Sequence, residues 1–386
     1  MISIDASTSI SRRSRLNWNF GTLAIWFFFS FWLSLLSLTE NARAFQEWQV
    51  FDTGTDASLR GLFAIDDQVA WSCGSKGTVV RTINGGITWT KLAVPGLTDG
   101  GSAGIEFRSI HSWDAQRVLV ATAGQPARIM KSIDGGANWV CVYEHSSPEA
   151  FLDGLRLWDE RTGLAFSDPV DGKMLILKTD SEGDSWLPLD SQDLPPIEKG
   201  EAGFAASNSS LAVFPPLHAW IGLGGTQGGE SRMFQTRDGG KSWAVHAVPP
   251  IVRNESSGVF SVAFQDAKHG IAVGGNYRQD SDASSNIAIT DDGGLSWRYL
   301  SESRPRGFRS SIVFAKAPDG RSWWGHPSIW ITCGPSGCDW SPDGQAWHDL
   351  SDIGFHALSL SSQGSVWASG SQGRVARISP MNTQNN

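Results

Sequence analysis

Three arginines and a histidine occupy equivalent places near the start of repeated apolar stretches of this chain. The seven equivalent positions are Arg60, Arg108, Asp153, Ala205, Phe260, Arg309 and His356. A guanidinium group offers forked donors that fit a carboxylate or a phosphate. Because the chain has a formal net charge of −8, a basic site on it would attract an anionic ligand or an acidic peptide. The structural alternative is an ion pair between Arg108 and Asp153, which belong to neighbouring repeats.

The loops after the second stretch of each repeat add further candidates for binding. Long loops on a rigid scaffold often carry function, and the side chains expected near the first set are Arg128, Asp168, Arg232 and Tyr277. Asp168 and Asp171 could together hold calcium. Since Asp-Pro and Asp-Gly are also ordinary turn sequences, we expect a turn there, with no metal and no cofactor.

Catalysis by these residues would require a pair of positioned carboxylates. Asp153 with Asp168 or Asp171 is the pair that a glycoside hydrolase would use. A sialidase would need a tyrosine beside a glutamate, and Tyr277 has no obvious glutamate partner. The pattern favours a non-catalytic binding protein, and a glycoside hydrolase or sialidase-like enzyme acting on extracellular glycans is the alternative.

The elements that must position these residues are marked by a box close to Thr-x-Asp-Gly-Gly-x-Ser-Trp. It recurs six times, every 47 to 57 residues, and ends at Trp89, Trp139, Trp186, Trp243, Trp297 and Trp347. Gly-Gly suits a tight turn, and a carboxylate can bond backbone amides inside it. The residues that we assign this turn role are Asn84, Asp134, Asp180, Asp238, Asp292 and Asp343.

Each period carries four short alternating stretches, which predict four strands. Four-stranded units repeated in this way are typical of a β-propeller. After the last box only three more strands follow, while Glu47 to Phe51 matches the missing fourth. The sequence therefore predicts one all-β, seven-bladed propeller over residues 45–379, closed by an N-terminal strand that completes the last blade, and a disordered tail over 380–386.

The first 44 residues are typical of an export signal. Arg12, Arg13 and Arg15 precede an apolar run, and Ala42-Arg43-Ala44 fits a cleavage site. We expect a periplasmic or extracellular protein that meets a membrane only peripherally or through an uncleaved signal, since about eighteen apolar residues can just span a bilayer.

Two cysteines close together in the exported part could be linked in an oxidising compartment. Cys333 and Cys338 flank Gly-Pro-Ser-Gly, so the two could face each other across a hairpin and form a disulfide. The excess of acidic residues argues against nucleic acid as a partner.

The boxes and their surroundings resemble the BNR or Asp-box propellers, and among them the photosystem II stability/assembly factor-like family. The matching segments are GSKGTVVRTINGG from Gly74, RIMKSIDGGANW from Arg128, SDPVDGK from Ser167, FQTRDGGKSW from Phe234 and GFHALSL from Gly354. The resemblance implies an exported or lumenal propeller with an arginine-rich patch that binds protein partners during assembly of a membrane complex. Two departures affect turn geometry: Asp180 stands one place early in its box, and the sixth box is one residue short.

Overall fold

The computed structural model describes residues 47–95, 104–225, 229–300 and 303–383, and their regular elements are β-strands. The predicted signal at 1–44 lies outside these residues. None of the described residues forms a helix that is long and apolar enough to cross a membrane.

Short strands follow one another along the whole of this part of the chain. In order they are β1 Gln49–Asp52, β2 Leu59–Ala64, β3 Ala70–Gly74, β4 Thr78–Thr82, β5 Thr90–Leu92, β6 Phe107–Ser112, β7 Val118–Thr122, β8 Ala127–Ser132, β9 Val140–His145, β10 Leu152–Leu157, β11 Gly163–Val170, β12 Lys173–Thr179, β13 Leu187–Pro188, β14 Glu201–Ala202, β15 Leu211–Phe214, β16 His218–Gly222, β17 Gly224–Gly225, β18 Glu230–Thr236, β19 Ala244–Val252, β20 Ser257–Phe264, β21 Gly270–Asn276, β22 Ile287–Thr290, β23 Ser311–Lys316, β24 Arg321–Ser322, β25 Ser328–Gly334, β26 Gly337–Ser341, β27 His348–Ser351, β28 Ala357–Leu360, β29 Val366–Ser369, β30 Arg374–Ile378 and β31 Met381–Asn382.

These strands form a seven-bladed propeller, as the repeat predicted. Blades 1, 2 and 3 are β2 to β5, β6 to β9 and β10 to β13, and blade 4 is β15, β16, β18 and β19. In blade 5, β20 to β22 are followed by a single bridge between Ile289 and Arg298 in place of a full fourth strand, and β17 and β14 extend the sheet on the other side. Blade 6 is β23 and β25 to β27, and blade 7 is β28 to β30 with β1.

The ring closes through its N-terminal strand, which confirms that prediction. β1 pairs antiparallel with β30, from Gln49 opposite Arg377 to Asp52 opposite Arg374. Trp48 is buried, and its ring centroid lies 5.2 Å from that of Phe355. β1 thus supplies the fourth strand of the last blade and joins the first and last blades' segments of the chain in one sheet.

The innermost strands line the central channel, and backbone groups at their inner edges need hydrogen-bond partners. Serine hydroxyl groups of one blade accept hydrogen bonds from backbone amides of the next blade. Ser261 Oγ accepts from Ile312 N at 3.0 Å, and Ser311 Oγ accepts from Leu358 N at 3.1 Å. Ser359 Oγ accepts from Ala64 N at 2.9 Å, so the ladder runs from blade 5 through blades 6 and 7 into blade 1.

The boxes form the turns that were predicted from their residues. In the fourth box, Thr236 Oγ1 donates to Asp238 Oδ1 at 2.9 Å, and Asp238 Oδ1 accepts from Ser242 N at 2.9 Å. Gly240, whose φ is +86°, donates its N–H to Thr236 Oγ1. Burial raises the pKa of Asp238, but the hydrogen bonds from Ser242 and Thr236 outweigh it and lower the pKa to about 2.

The third box departs from this pattern, and the assignment of Asp180 to its turn is wrong. Ser181 takes the place of the aspartate, because its Oγ accepts from Ser185 N at 3.1 Å. The Asp180 side chain is exposed, and it forms no hydrogen bond with the described residues of the turn. Because Asp180 stands one residue earlier than the aspartate of the other boxes, it does not occupy the position that accepts the turn's backbone N–H.

Two further expectations concern the end of the chain and its cysteines. Part of the expected disordered tail is paired: Met381–Asn382 lie against Arg321–Ser322. Cys333 and Cys338 face each other in register between β25 and β26, both buried and both free thiols, so their disulfide stays a prediction.

Candidate functional site

The inner strands begin around one end of the channel, where they enclose a cavity of about 410 Å³. We call this end the polar mouth. Six of the predicted binding residues line it: Arg60, Arg108, Asp153, Asp168, Tyr277 and His356. The seven-fold ring has therefore brought together side chains that lie far apart in the sequence.

A local irregularity of the backbone directs four side chains into this cavity. In blade 1 the register shifts between Leu59 and Gly61, so Arg60 is the extra, unpaired residue of a β-bulge. Bulges at the same place leave Arg108, Asp153 and Phe260 unpaired in blades 2, 3 and 5. A bulge bends the strand and re-aims a side chain, which here turns it from the blade toward the cavity.

Arg60 and Arg108 make one side of the polar mouth basic. Arg108 donates to Ala205 O at 3.2 Å and lies 3.5 Å from Glu106, so it does not form the expected ion pair with Asp153. Arg60 makes no hydrogen bond or ion pair with the described residues. Burial, followed by the charge of Arg108, lowers the pKa of Arg60 to about 10 against a smaller opposing effect of Glu106. With this pKa Arg60 stays charged at neutral pH, and it has no carboxylate at ion-pair distance within this part of the chain.

His356 is neutral beside these arginines. Its Nε2 lies 3.0 Å from Ser371 Oγ. Burial lowers the pKa of His356 to about 3, helped by the charges of Arg60, Arg108 and Arg374. The histidine therefore contributes a polar ring to the mouth, not a third positive charge.

Asp153 and Asp168 form an acid pair in the same cavity. Asp153 is 1% exposed, and neither of its carboxyl oxygens accepts a hydrogen bond from a described residue. Burial, then the neighbouring Asp168, raises the pKa of Asp153 well above its ordinary value. Asp168 accepts from Gly203 N at 3.0 Å, and burial raises its pKa to about 6 against that bond and the contact with Asp153. Of the two acids, Asp153 therefore holds its proton more strongly, and its protonated carboxyl group can donate to the carboxylate of Asp168.

A glycosidase would place a specific demand on the separation of these two carboxyl groups. Glycoside hydrolysis needs two carboxyl groups separated by roughly 5 to 9.5 Å, so that a sugar carbon or a water lies between them. Asp153 and Asp168 line the same cavity as near neighbours, and Asp168 raises the pKa of Asp153. Asp171 does not line this cavity; it lies in the turn after β11 with φ +51°. The described residues contain no cluster of three potential metal ligands.

Aromatic rings form the side of the cavity opposite the arginines. Phe204 stacks on Phe260 at 3.9 Å between centroids. Phe308 meets Phe260 edge-on at 4.6 Å, and Tyr277 lies 6.1 Å from Phe260. The sequence reasoning missed Phe204 and Phe308, although both directly precede an aligned position. Such rings offer a platform for an apolar or aromatic group.

Three predicted residues lie outside the cavity. Arg128 pairs with Glu144 at 3.1 Å, and Arg232 pairs with Glu201. Arg309 is fully buried and donates to Asp339 Oδ2 at 2.7 Å.

The misplacement of Arg309 is an error of one residue in the alignment. Its N–H donates to Gly274 O of the preceding blade, just as Leu59 N–H donates to Gly370 O and Phe355 N–H to Gly334 O. Ser310 is thus the true equivalent of Arg60, and it lines the cavity. A shift of one position sends a strand side chain to the opposite face.

The fold and this cavity define a closed seven-bladed propeller with a built pocket at one channel end. No protein-family model matches the chain, and no curated protein matches it by sequence. Among solved structures, YCF48 bound to D1 peptide is similar over 88% of this chain and 98% of that chain, at 16% identity and a TM-score of 0.60. YCF48 from Cyanidioschyzon merolae matches over 86% and 99%, at 16% identity and a TM-score of 0.59.

A propeller with a different function is also similar. The structure of streptogramin B lyase covers 87% of this chain and 99% of its own, at 13% identity and a TM-score of 0.56. At these identities the likeness shows the fold alone, and function must be argued from the site. The resemblance to the photosystem II stability factors is supported at that level.

Proposed function

We propose that this chain is a non-catalytic binding propeller that holds a peptide segment at its polar mouth, with a carboxylate of the peptide on Arg60 and Arg108. The observation that carries the proposal is the unpaired Arg60, aimed by a bulge into a cavity that it shares with Arg108. Two adjacent guanidinium groups repel each other, so a bound carboxylate relieves that repulsion and gains charge-assisted hydrogen bonds.

The other residues that line the cavity indicate which kind of peptide fits it. Blades 1 and 2 supply the arginines, while Phe204, Phe260 and Phe308 come from the far side of the ring. A segment that spans the mouth therefore has a carboxylate at one end and an apolar or aromatic side chain at the other. A neighbour in fold, YCF48, is known bound to a D1 peptide, which supports a peptide as the occupant.

We propose, from the export signal predicted over residues 1–44, that the protein acts outside the cytoplasm on a partner from an envelope or membrane complex.

Peptide binding measured by fluorescence anisotropy tests this function. Labelled peptides ending in Phe-x-Asp, with a free or an amidated C-terminus, are titrated with the full chain. We expect the peptide with more carboxylates to bind more tightly, and Arg60→Gln with Arg108→Gln to weaken it at least about tenfold, since hydrogen bonds to charged groups contribute roughly 1.5–3 kcal/mol each. Arg128→Gln is the matched control, because Arg128 lies outside the cavity.

Two results would reject the proposal. One is equal affinity for charged peptides and for their Asn-containing, amidated counterparts. The other is undiminished binding by a folded double variant, with folding checked by thermal melting. A glycosidase would instead turn over glycosides and lose turnover in Asp153→Asn.

A further inference from the structure

The opposite end of the channel holds a second cavity, of about 270 Å³, which shares no lining residue with the polar mouth. We call it the apolar mouth. It lies where the inner strands end, and apolar side chains from five blades form its walls: Phe63, Leu211, Phe264, Phe314 and Leu360 are among them. Arg156 is the one charged residue among the described residues that line it.

Arg156 stands where blades 1 and 2 place uncharged groups. It is the fifth residue of β10, and the fifth residues of β2 and β6 are Phe63 and His111. Its Nε donates to Asn208 O at 3.2 Å. No carboxylate of the described residues forms an ion pair with it, so its guanidinium group is held by a backbone carbonyl alone.

The charge of Arg156 is therefore uncompensated in the described part of the chain. Burial lowers its pKa to about 10, and no acidic group acts against that effect. It remains a cation at neutral pH. Burial and then the charge of Arg156 lower the pKa of His111 to about 3, so the adjacent imidazole stays neutral. Arg156 is partly buried, so its charge has lost part of its hydration without gaining an anion, which is unfavourable.

The walls around this cation indicate what kind of anion fits. One guanidinium fork matches one carboxylate, whereas a phosphate with two charges calls for more donors than this mouth offers. Leu211, Ile312 and Leu358 are buried at its base, and Leu360 is 38% exposed at its rim. Apolar walls gain free energy by burying a hydrocarbon chain, about 0.8 kcal/mol per CH₂ group.

We propose that the apolar mouth binds an aliphatic monocarboxylate, with its head group on Arg156 and its chain against the apolar wall. This site is independent of the polar mouth and of the peptide function proposed for it. Only the chemistry of the ligand is assigned: a single negative charge joined to a short hydrocarbon tail.

Isothermal titration calorimetry with hexanoate, acetate and hexylamine tests this site in the full chain carrying Arg60→Gln and Arg108→Gln, because these changes remove the carboxylate site proposed for the polar mouth. We expect hexanoate to bind with one site per chain and acetate to bind at least about tenfold more weakly, since it lacks the tail. Hexylamine carries the same tail and the opposite charge, so it should not bind. Arg156→Gln should abolish hexanoate binding. Arg128→Gln in the same background lies outside both cavities and should leave it unchanged.

A second variant separates the role of the wall from that of the charge. Leu360→Ser retains Arg156 and should weaken hexanoate several-fold while leaving acetate unchanged. Arg156→Gln removes an uncompensated charge, so its melting temperature without ligand should equal or exceed that of the parent chain.

Four outcomes would overturn the proposal. They are undiminished hexanoate binding in Arg156→Gln, acetate binding as tightly as hexanoate, hexylamine binding as tightly as hexanoate, and no heat of binding with hexanoate at millimolar concentrations. Peptide binding at the polar mouth is expected to survive each of these outcomes, so failure of one site is distinguishable from failure of the other.

Discussion

The two mouths of the channel are built by the same inner strands and yet carry different side chains. At the polar mouth, bulges in four blades turn Arg60, Arg108, Asp153 and Phe260 into the cavity. At the apolar mouth those strands pair in regular register, and their side chains form a hydrophobic wall around Arg156. One extra residue per strand therefore decides which side chains meet a ligand, because it interrupts the alternation of the strand.

Loss of ring closure is the largest effect expected, since both mouths depend on it. Deleting residues 45–53 removes β1 together with Trp48 and Phe51. We expect more than about 3 kcal/mol of lost stability, because truncating one buried large aromatic already costs 3–5 kcal/mol. Urea denaturation measures this loss, and removal of 384–386 is the control. An unchanged midpoint after the first deletion would contradict the closure seen between β1 and β30.

Replacing the two arginines of the polar mouth is expected to have the next largest effect. It should weaken binding at that mouth and leave binding at the other unchanged. Arg60→Gln with Arg108→Gln should weaken carboxylate-bearing peptides at least about tenfold, because their charge-assisted bonds are lost. Hexanoate binding at the apolar mouth should not change. Calorimetry with both ligands on the same sample checks this, and equal loss at both ends would show that the mouths are coupled.

A methyl group added beside Asp153 and Asp168 should weaken ligand binding at the polar mouth only. A Cβ atom at Gly203 would lie 2.6 Å from Phe166 Cε2 and 2.8 Å from Asp153 Cγ, so Gly203→Ala forces Phe166, Asp153 or their strands to move. We expect a loss of about 1–3 kcal/mol of stability together with weaker peptide binding. Gly104→Ala is the control, because nothing lies within 4 Å of the added atom. A fully stable Gly203→Ala protein with normal peptide affinity would count against this packing.

The smallest effect expected is a difference in pH dependence between the two ends. The pKa of Asp168 is about 6 in the folded protein, above its unfolded value, so the native state binds the extra proton. Its contribution to stability is present at low pH and is lost as the pH rises through 6. Below pH 6 the polar mouth also loses a negative charge, so peptide carboxylates should bind a few-fold more tightly at pH 5 than at pH 7.5.

The apolar mouth should show no such change over the same range. Arg156, with a pKa of about 10, and His111, with a pKa of about 3, do not titrate there. Asp168→Asn should abolish the pH effect on peptide binding and leave hexanoate unaffected. A pH profile that persists in this variant would place the titrating group elsewhere.

Much of the polar mouth was predictable because a repeat aligns equivalent positions without knowledge of their contacts. Arg60, Arg108, Asp153 and His356 follow from that alignment, and Asp168 and Tyr277 follow from the loops. The prediction for Arg309 was wrong because blade 6 differs by one residue, and this difference does not change the apolar pattern. Phe204 and Arg156 were missed for another reason: an aromatic residue in a linker and an arginine inside a strand resemble ordinary packing and surface residues.

The sequence by itself determined the all-β class, the seven blades, the closing strand and the turn chemistry of most boxes, because these depend on local patterns that repeat. Only the tertiary structure decided which side chains share a cavity, that Asp153 and Asp168 form a pair, and that Arg60 and Arg156 lack ion-pair partners among the described residues. Those properties depend on bulges and on approaches between blades distant in sequence, where a shift of one residue reverses the direction of a side chain.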